Sequence, residues 1–273
     1  MKEKILEYLR TDFEKQLFAA SIAYLTNEND PLRLNSFAYS LRELIRNIFA
    51  ARAPDEKVKA CSWFKPEIEN GAPTRQQRYI YCIQGGLSHS FVLKELEIDI
   101  LQPWKDIKTA IDSLSKFTHV TEQTFNIENE ECERLSNEAL SSLLYIFDLM
   151  SDTKTELIYE LTGHISSELM MTFVSNSMSD IDILSNNSHV EYSEITEREI
   201  IDIDHKNITF QGEGIAYVSL NYGKGEDACE LNDDFPFVFK GSSRTDNPYE
   251  LSISPDDISI DINSWYGLDD EQE

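Results

Sequence analysis

The chain has few of the short motifs that identify common enzyme classes. Its 273 residues contain no GxxxxGK[ST] phosphate-binding loop, no GxGxxG motif and no GxSxG motif. Nucleotide hydrolases, dinucleotide-dependent oxidoreductases and serine esterases depend on these motifs, because backbone amides or an activated serine must meet the substrate there. All three activities therefore lack support.

Metal-binding signatures are missing as well. The four cysteines include no CxxC pair, and none of the five histidines belongs to an HExxH motif. A zinc ribbon, a redox dithiol or a zinc hydrolase would need such spacing. We therefore expect free thiols, no metal site and no cofactor.

Long apolar runs are absent too. No stretch of the sequence approaches the roughly eighteen consecutive apolar residues that a membrane-spanning helix needs. The amino-terminal segment MKEKILEYLRTDFEK has charged residues where a signal peptide has its apolar region. We expect a cytoplasmic protein with no membrane partner.

Basic residues are scarce after residue 120 but not before it. The protein has 24 Lys+Arg and 50 Asp+Glu, hence a net charge of −26. Residues 1–120 hold 17 of the basic and 16 of the acidic residues, a net charge of +1, which leaves −27 for residues 121–273. A field of that size repels nucleic acid and attracts basic protein surfaces. We expect contact with a phosphate backbone only in the first part.

Hydrophobic periodicity predicts an α+β fold. Apolar residues recur at helical spacing in six segments, including one over residues 2–26 and a final pair over residues 132–152 and 155–179. From about Asp180 the period changes to two, which predicts antiparallel strands, and the GEG sequence at Gly212–Gly214 predicts a hairpin. The predicted domains are a helical bundle over 1–179, an acidic antiparallel β domain over 180–268 and a tail over 269–273.

The segment RLNSFAYSLRELIRNIF, residues 33–49, contains the first candidate binding residues. Its apolar residues form the buried stripe of an amphipathic helix. Beside this stripe, Asn35, Tyr39, Arg42 and Arg46 recur at four, three and four, which lines two guanidinium groups along one helix edge. A guanidinium is a rigid forked donor for phosphate oxygens. The other interpretation is that these arginines form ion pairs, for example with Glu43.

Further candidates follow in two later helices. His119 ends the helix WKDIKTAIDSLSKFTH, after Lys116, and an imidazole there can transfer a proton near neutral pH. The preference of histidine for a helix carboxyl terminus is the alternative explanation. Arg75 and Arg78 in TRQQRY lie close to Tyr79, an alternation of basic and aromatic side chains that suits single-stranded nucleic acid.

A family resemblance rests on five segments, LRLNSFAYSLRELIRNIFAARAPDEKVKACSWF, TRQQRYIYCIQGGLS, LSKFTHV, GIAYVSLNYGKGED and DDFPFVFKG. Together they resemble the predicted pPIWI-associating nuclease family of prokaryotic defence islands, over most of the chain. The resemblance implies a component of bacterial conflict with phages or plasmids, encoded beside other defence proteins. It also implies a nuclease activity.

The helical part is also similar to the HEPN class of ribonuclease domains, which are small bundles that dimerise and cleave RNA without metal. Their signature is an arginine, a polar residue and, a few positions later, a histidine. Arg46 and Asn47 match the first two positions, but no histidine follows closely, and the basic residue before His119 is Lys116. Either the site is assembled from two helices, with Arg42 and Arg46 facing His119, or the bundle is catalytically inactive.

Two functional hypotheses follow. In the first, the protein is a metal-independent nuclease of the endoribonuclease type in an antiviral system, in which Arg42 and Arg46 bind phosphate and His119 transfers a proton. In the second, it is a non-catalytic adaptor whose acidic β domain binds a basic protein partner. The expected partners are RNA or single-stranded DNA, another defence-system protein and a second copy of the chain. The residues assigned to substrate binding are Tyr39, Arg75, Arg78 and Lys116.

Overall fold

The structure, a computed structural model, is an α+β protein in which helices precede an antiparallel sheet, as the change of hydrophobic period predicts. Among the residues that it describes, no helix combines the length and the apolar composition needed to cross a bilayer. The tail predicted at 269–273 lies outside the described residues. The described ranges are 1–175, 181–185, 187–223 and 227–266.

The helices form because apolar side chains recur on one face of each and pack together. The third helix shows this most clearly, since Phe37, Leu41 and Leu44 on its inner face are completely buried. The two shortest helices were not predicted, because five or six residues are too few to show a period. The helices are α1 (Lys2–Tyr8), α2 (Asp12–Leu25), α3 (Arg33–Arg52), α4 (Asp55–Lys59), α5 (Arg75–Gln84), α6 (His89–Lys94), α7 (Leu101–Lys116) and α8 (Asn129–Ser175).

The prediction of a single helix over residues 2–26 is wrong, because α2 has its own amino-terminal cap. The hydroxyl of Thr11 accepts a hydrogen bond from the backbone amide of Glu14 at 3.1 Å. In return, the Glu14 carboxylate accepts from the amides of Arg10 and Thr11, at 2.7 and 3.3 Å. This reciprocal capping box ends α1 and starts a new helix.

The prediction of two helices over 132–152 and 155–179 is also wrong. One helix of 47 residues, α8, covers both segments as far as Ser175. The two intervening residues, Thr153 and Lys154, are neither proline nor glycine, so the hydrogen-bond ladder continues through them. Residues 176–179 of the second segment lie outside the described ranges.

The chain forms two compact units, and the division between them falls inside α8. Unit 1 comprises Met1–Gln84 and His89–Leu157, and unit 2 comprises Gly85–Ser88 and the residues from Ile158 onwards. The predicted boundary near residue 180 follows the change from helix to strand, whereas compactness places the division between Leu157 and Ile158.

Unit 2 contains an antiparallel sheet in the order β1-β2-β3-β4, with β5 also paired to β3. The turn between the first two strands is closed by Asp204, whose carboxylate accepts from the amides of Lys206 and Asn207 at 2.6 and 2.7 Å. Alternating Phe235, Phe237 and Phe239 of the third strand are buried on one face. The strands are β1 (Ser188–Ile203), β2 (Asn207–Tyr222), β3 (Cys229–Arg244), β4 (Asn247–Ser252) and β5 (Ile258–Ile260).

The hairpin predicted at Gly212–Gly214 is wrong, because β2 runs through these residues without a turn. Gly212 is in register with Phe239, and Gly214 with Phe237. A Cβ atom at Gly214 would lie 2.7 Å from the ring of Phe237 and would clash with the carbonyl oxygen of Glu194. The phenylalanine rings therefore pack directly against the backbone of these glycines, where a side chain would have no space.

Two glycine-to-alanine substitutions should have opposite effects on stability. Gly214→Ala should lower the free energy of unfolding by about 1–3 kcal/mol, because the new methyl group has no space beside Phe237. Gly163→Ala, in α8, meets nothing within 4 Å and should raise it by about 0.5–1 kcal/mol through better helix propensity. Thermal unfolding followed by circular dichroism tests both. Equal stability of the two variants would contradict this account of the sheet.

Candidate nucleic-acid site

The candidate site lies along an exposed edge of α3. Eleven of the 20 residues of α3 are buried, so only a narrow strip of this helix reaches solvent. Tyr39 is 56% exposed, Arg42 is half-buried, and the Arg46 side chain is 66% exposed. These three side chains share one side of the helix, and we refer to them as the α3 edge.

The two arginines of the α3 edge differ in their partners. The Arg46 Nε lies 2.8 Å from Glu43 Oε2, an exposed ion pair that contributes only about 0–1 kcal/mol. Arg42 has no ion pair or hydrogen bond from its side chain within the described part of the chain. Helical side chains lean toward the amino terminus, so Arg42 leans toward Tyr39. Arg42 is therefore the more available phosphate ligand.

His119 lies in the loop after α7, which is bound to the first turn of α3. The side-chain amide of Asn35 donates to the carbonyl oxygens of Phe117 and His119, both at 3.0 Å, and contacts the Thr124 hydroxyl at 3.1 Å. Thr124 also donates to the His119 carbonyl oxygen at 2.8 Å. These hydrogen bonds fix the backbone of His119, although His119 is exposed to solvent.

The same loop has a second attachment to the beginning of α3. The buried guanidinium of Arg33 donates to Asn129 Oδ1 at 2.6 Å and to the carbonyl oxygen of Ile127 at 3.3 Å. The Asn126 amide donates to the Pro31 carbonyl oxygen at 2.9 Å. Both ends of the loop between α7 and α8 are therefore held at the start of α3.

Helix geometry sets the distances between these groups. Arg42 is seven residues beyond Asn35 and Arg46 is eleven, which corresponds to about 10 and 16 Å along the helix axis. His119, held at Asn35, thus lies at the amino-terminal end of the α3 edge. Arg42 is the nearer of the two arginines to it, and Arg46 is too distant to share one phosphate with His119.

The remaining sequence-based candidates lie elsewhere in unit 1. Arg78 donates to Asp55 Oδ1 at 2.5 Å and to the Ala53 carbonyl oxygen at 2.6 Å, so it secures the carboxyl-terminal end of α3. This hydrogen bond from Arg78 lowers the pKa of Asp55. Arg75 and Lys116 are exposed, and neither forms an ion pair with the residues that the structure describes. Arg78 and His119 are thus at opposite ends of a helix of about 30 Å.

The donors along the α3 edge suit phosphate rather than a divalent cation. In the ranges that the structure covers, no group of three or more His, Cys, Asp or Glu side chains is arranged to hold a metal ion. Guanidinium, phenol and imidazole groups can bind an anion, stack on a base and transfer a proton.

Two family models, both described as predicted pPIWI-associating nuclease, match residues 6–143 and 150–266. The chain belongs to the predicted pPIWI-associating nuclease family. No curated protein and no solved structure gave a significant match. Membership of this family implies association with a partner protein and contact with nucleic acid. Tyr39, Arg42, Arg46 and His119 all lie within the first matched region of this family member.

Replacing Asn35 by alanine should release the loop that carries His119. We expect a loss of about 1–3 kcal/mol in the free energy of unfolding, because the partly buried carbonyl groups of Phe117 and His119 lose a donor. Urea unfolding and limited proteolysis between α7 and α8 measure the effect. The matched control is Asn47→Ala, since among the described residues the Asn47 side chain donates only to the Glu43 carbonyl oxygen, within α3. Similar losses in both variants would contradict the role given to Asn35.

Proposed function

We propose that unit 1 is a metal-independent, HEPN-like nuclease of the endoribonuclease type that acts in prokaryotic antiviral defence, with its site on the α3 edge. The observation that supports this most is Arg42, a half-buried arginine without a counter-ion among the described residues. On the same edge of α3, the exposed Tyr39 lies between Arg42 and the end of the helix at which His119 is held. Family membership supplies the general activity.

The proposed reaction uses the 2′-hydroxyl of RNA as the nucleophile. His119 accepts the proton of this hydroxyl, whose oxygen attacks the adjacent phosphorus atom. The bond from phosphorus to the 5′-oxygen breaks, and the leaving oxygen takes a proton from the imidazolium. The products are a 2′,3′-cyclic phosphate and a 5′-hydroxyl. Because the nucleophile is part of the substrate, its position is already fixed and no metal-bound water is needed.

The other residues of the α3 edge bind the strand. Arg42 neutralises the charge that develops on the non-bridging oxygens of the scissile phosphate. Tyr39 offers an exposed ring on which a base can stack. Arg46 exchanges the half-buried carboxylate of Glu43 for a neighbouring phosphate, at a small cost. Lys116 and Arg75 are exposed cations that add contacts to more distant phosphates.

Cleavage of end-labelled RNA in EDTA tests this proposal. His119→Ala should lower kcat about 10²–10⁴-fold, as expected for loss of a general base. Arg42→Ala should lower it about 10²–10³-fold, because charge on the phosphate is then uncompensated. Arg46→Ala and Tyr39→Ala should act mainly on KM. His189→Ala is the control, since His189 is an exposed histidine on β1.

The substrate distinguishes this mechanism from other nuclease mechanisms. DNA of the same sequence, and RNA methylated on the 2′-oxygen, should resist cleavage because neither can supply the nucleophile. Cleavage of DNA at the rate of RNA would contradict the mechanism. Full activity of His119→Ala would remove His119 from it.

A second candidate function is that of a non-catalytic adaptor whose acidic β unit binds a basic protein partner. From residue 158 onwards, the chain has 5 Lys+Arg and 25 Asp+Glu, a net charge of −20. Such a field favours association with a positively charged surface. The ion pairs of Arg46 and Arg78 also favour this function, because they occupy two of the basic groups proposed for substrate. A protein that binds a basic partner but leaves RNA intact would be this adaptor.

A further inference from the structure

One face of the sheet in unit 2 is open to solvent and contains a groove. Two adjoining recesses of about 620 and 690 Å³ share Glu213, Val238 and Ser259, and so form one continuous depression across the strands. Val238 is 55% exposed, although its neighbours along β3, Phe237 and Phe239, are buried on the other face. We call this depression the sheet groove.

The sheet groove is acidic. Like charges directly opposite each other destabilise a pair of antiparallel strands, and Glu197 of β1 is in register with Glu213 of β2. A cation between these two carboxylates would relieve their repulsion. The carboxylates that line the sheet groove are those of Glu197, Glu199, Glu213, Asp256, Asp257 and Asp261, and its basic residues are Arg198 and Lys240.

The spacing of these carboxylates suits an extended polycation better than a single metal ion. Alternate residues on a strand, such as Glu197 and Glu199, are about 6.6 Å apart along it, so the carboxylates form a row rather than one compact cluster. Accordingly, no metal-binding cluster occurs among the residues described. An extended peptide presents its own alternate side chains with the same spacing, so basic residues at every second position would match the groove.

An aromatic pair lies on the same face as the carboxylates. Tyr192 and Tyr217 are stacked with ring centroids 4.1 Å apart, and Tyr192 is 53% exposed. Tyr217 follows Glu213 by four residues on β2, so both project from the same face of the strand. The faces of aromatic rings attract guanidinium and ammonium groups. The tyrosine pair therefore favours the same cationic side chains as the carboxylates do.

We propose that the sheet groove binds an extended, arginine- or lysine-rich segment of a partner protein. This inference rests on the second candidate function, in which unit 2 binds a basic partner. The segment lies across the face of the sheet rather than along β1, because three register shifts interrupt that strand and hinder pairing at its edge.

Fluorescence anisotropy with the full chain and a labelled nonapeptide of alternating arginine and serine tests the proposal. The double substitution Glu197→Lys/Glu213→Lys should weaken binding at least about tenfold, since it removes the central carboxylates of the sheet groove. The matched control is Glu156→Lys/Glu160→Lys, which changes the net charge equally on exposed positions of α8. The control should remain close to the wild type. Circular dichroism confirms that each variant is folded.

The outcomes distinguish a failure of the groove proposal from a failure of the basic-partner function on which that proposal rests. Binding that the control retains and the groove variant loses supports the sheet groove. Equal weakening in both variants shows that net charge alone attracts the peptide and overturns the sheet groove, while the basic-partner function stands. Failure of the wild type to bind the peptide overturns both.

Discussion

The side-chain amide of Asn35 is the contact on which the candidate site of unit 1 depends. It is buried in the first turn of α3 and holds the carbonyl groups of Phe117 and His119. A partly buried carbonyl group that loses its donor is costly, so this amide fixes where the chain runs after α7. The same bonds place His119 at the end of the α3 edge. Fold and site thus share one interaction.

Electrostatics keeps the proposed activities of the two units separate. Unit 2 would repel a phosphate backbone, yet at physiological ionic strength the field of exposed charges falls off over about 8 Å. The exposed Tyr39 and the half-buried Arg42 interact with a strand through their own charge and shape. A strongly acidic unit and an edge proposed to bind phosphate are therefore compatible within one chain. The acidity restricts where nucleic acid can bind rather than whether it binds.

Hydrophobic periodicity in the sequence predicts much of the fold but little of the candidate site. The spacing of Tyr39, Arg42 and Arg46 suffices to put them on one side of a helix, because three and four residues make one helical turn. The capping box at Thr11 and Glu14 was also readable, in the motif TDFE.

Contacts between distant residues could not be read in this way. Asn35 and Thr124 are 89 residues apart, and Arg78 finds Asp55 across 23 residues. The role of Gly214 depends on its register with Phe237 in another strand, which a local GEG pattern does not encode. In each case the partner is chosen by tertiary packing, so only the structure identifies it.

The surfaces proposed for binding are those where local rules of stability are broken. Arg42 lacks a counter-ion among the described residues, Tyr39 exposes an aromatic ring, and Glu197 faces Glu213 across two strands. None of these arrangements stabilises the protein alone. Each becomes favourable once a ligand of the right charge arrives: a phosphate beside Arg42, a base over Tyr39 or a cation between the two glutamates. Since proteins tolerate such violations chiefly where function requires them, the two surfaces are expected to bind ligands of opposite charge.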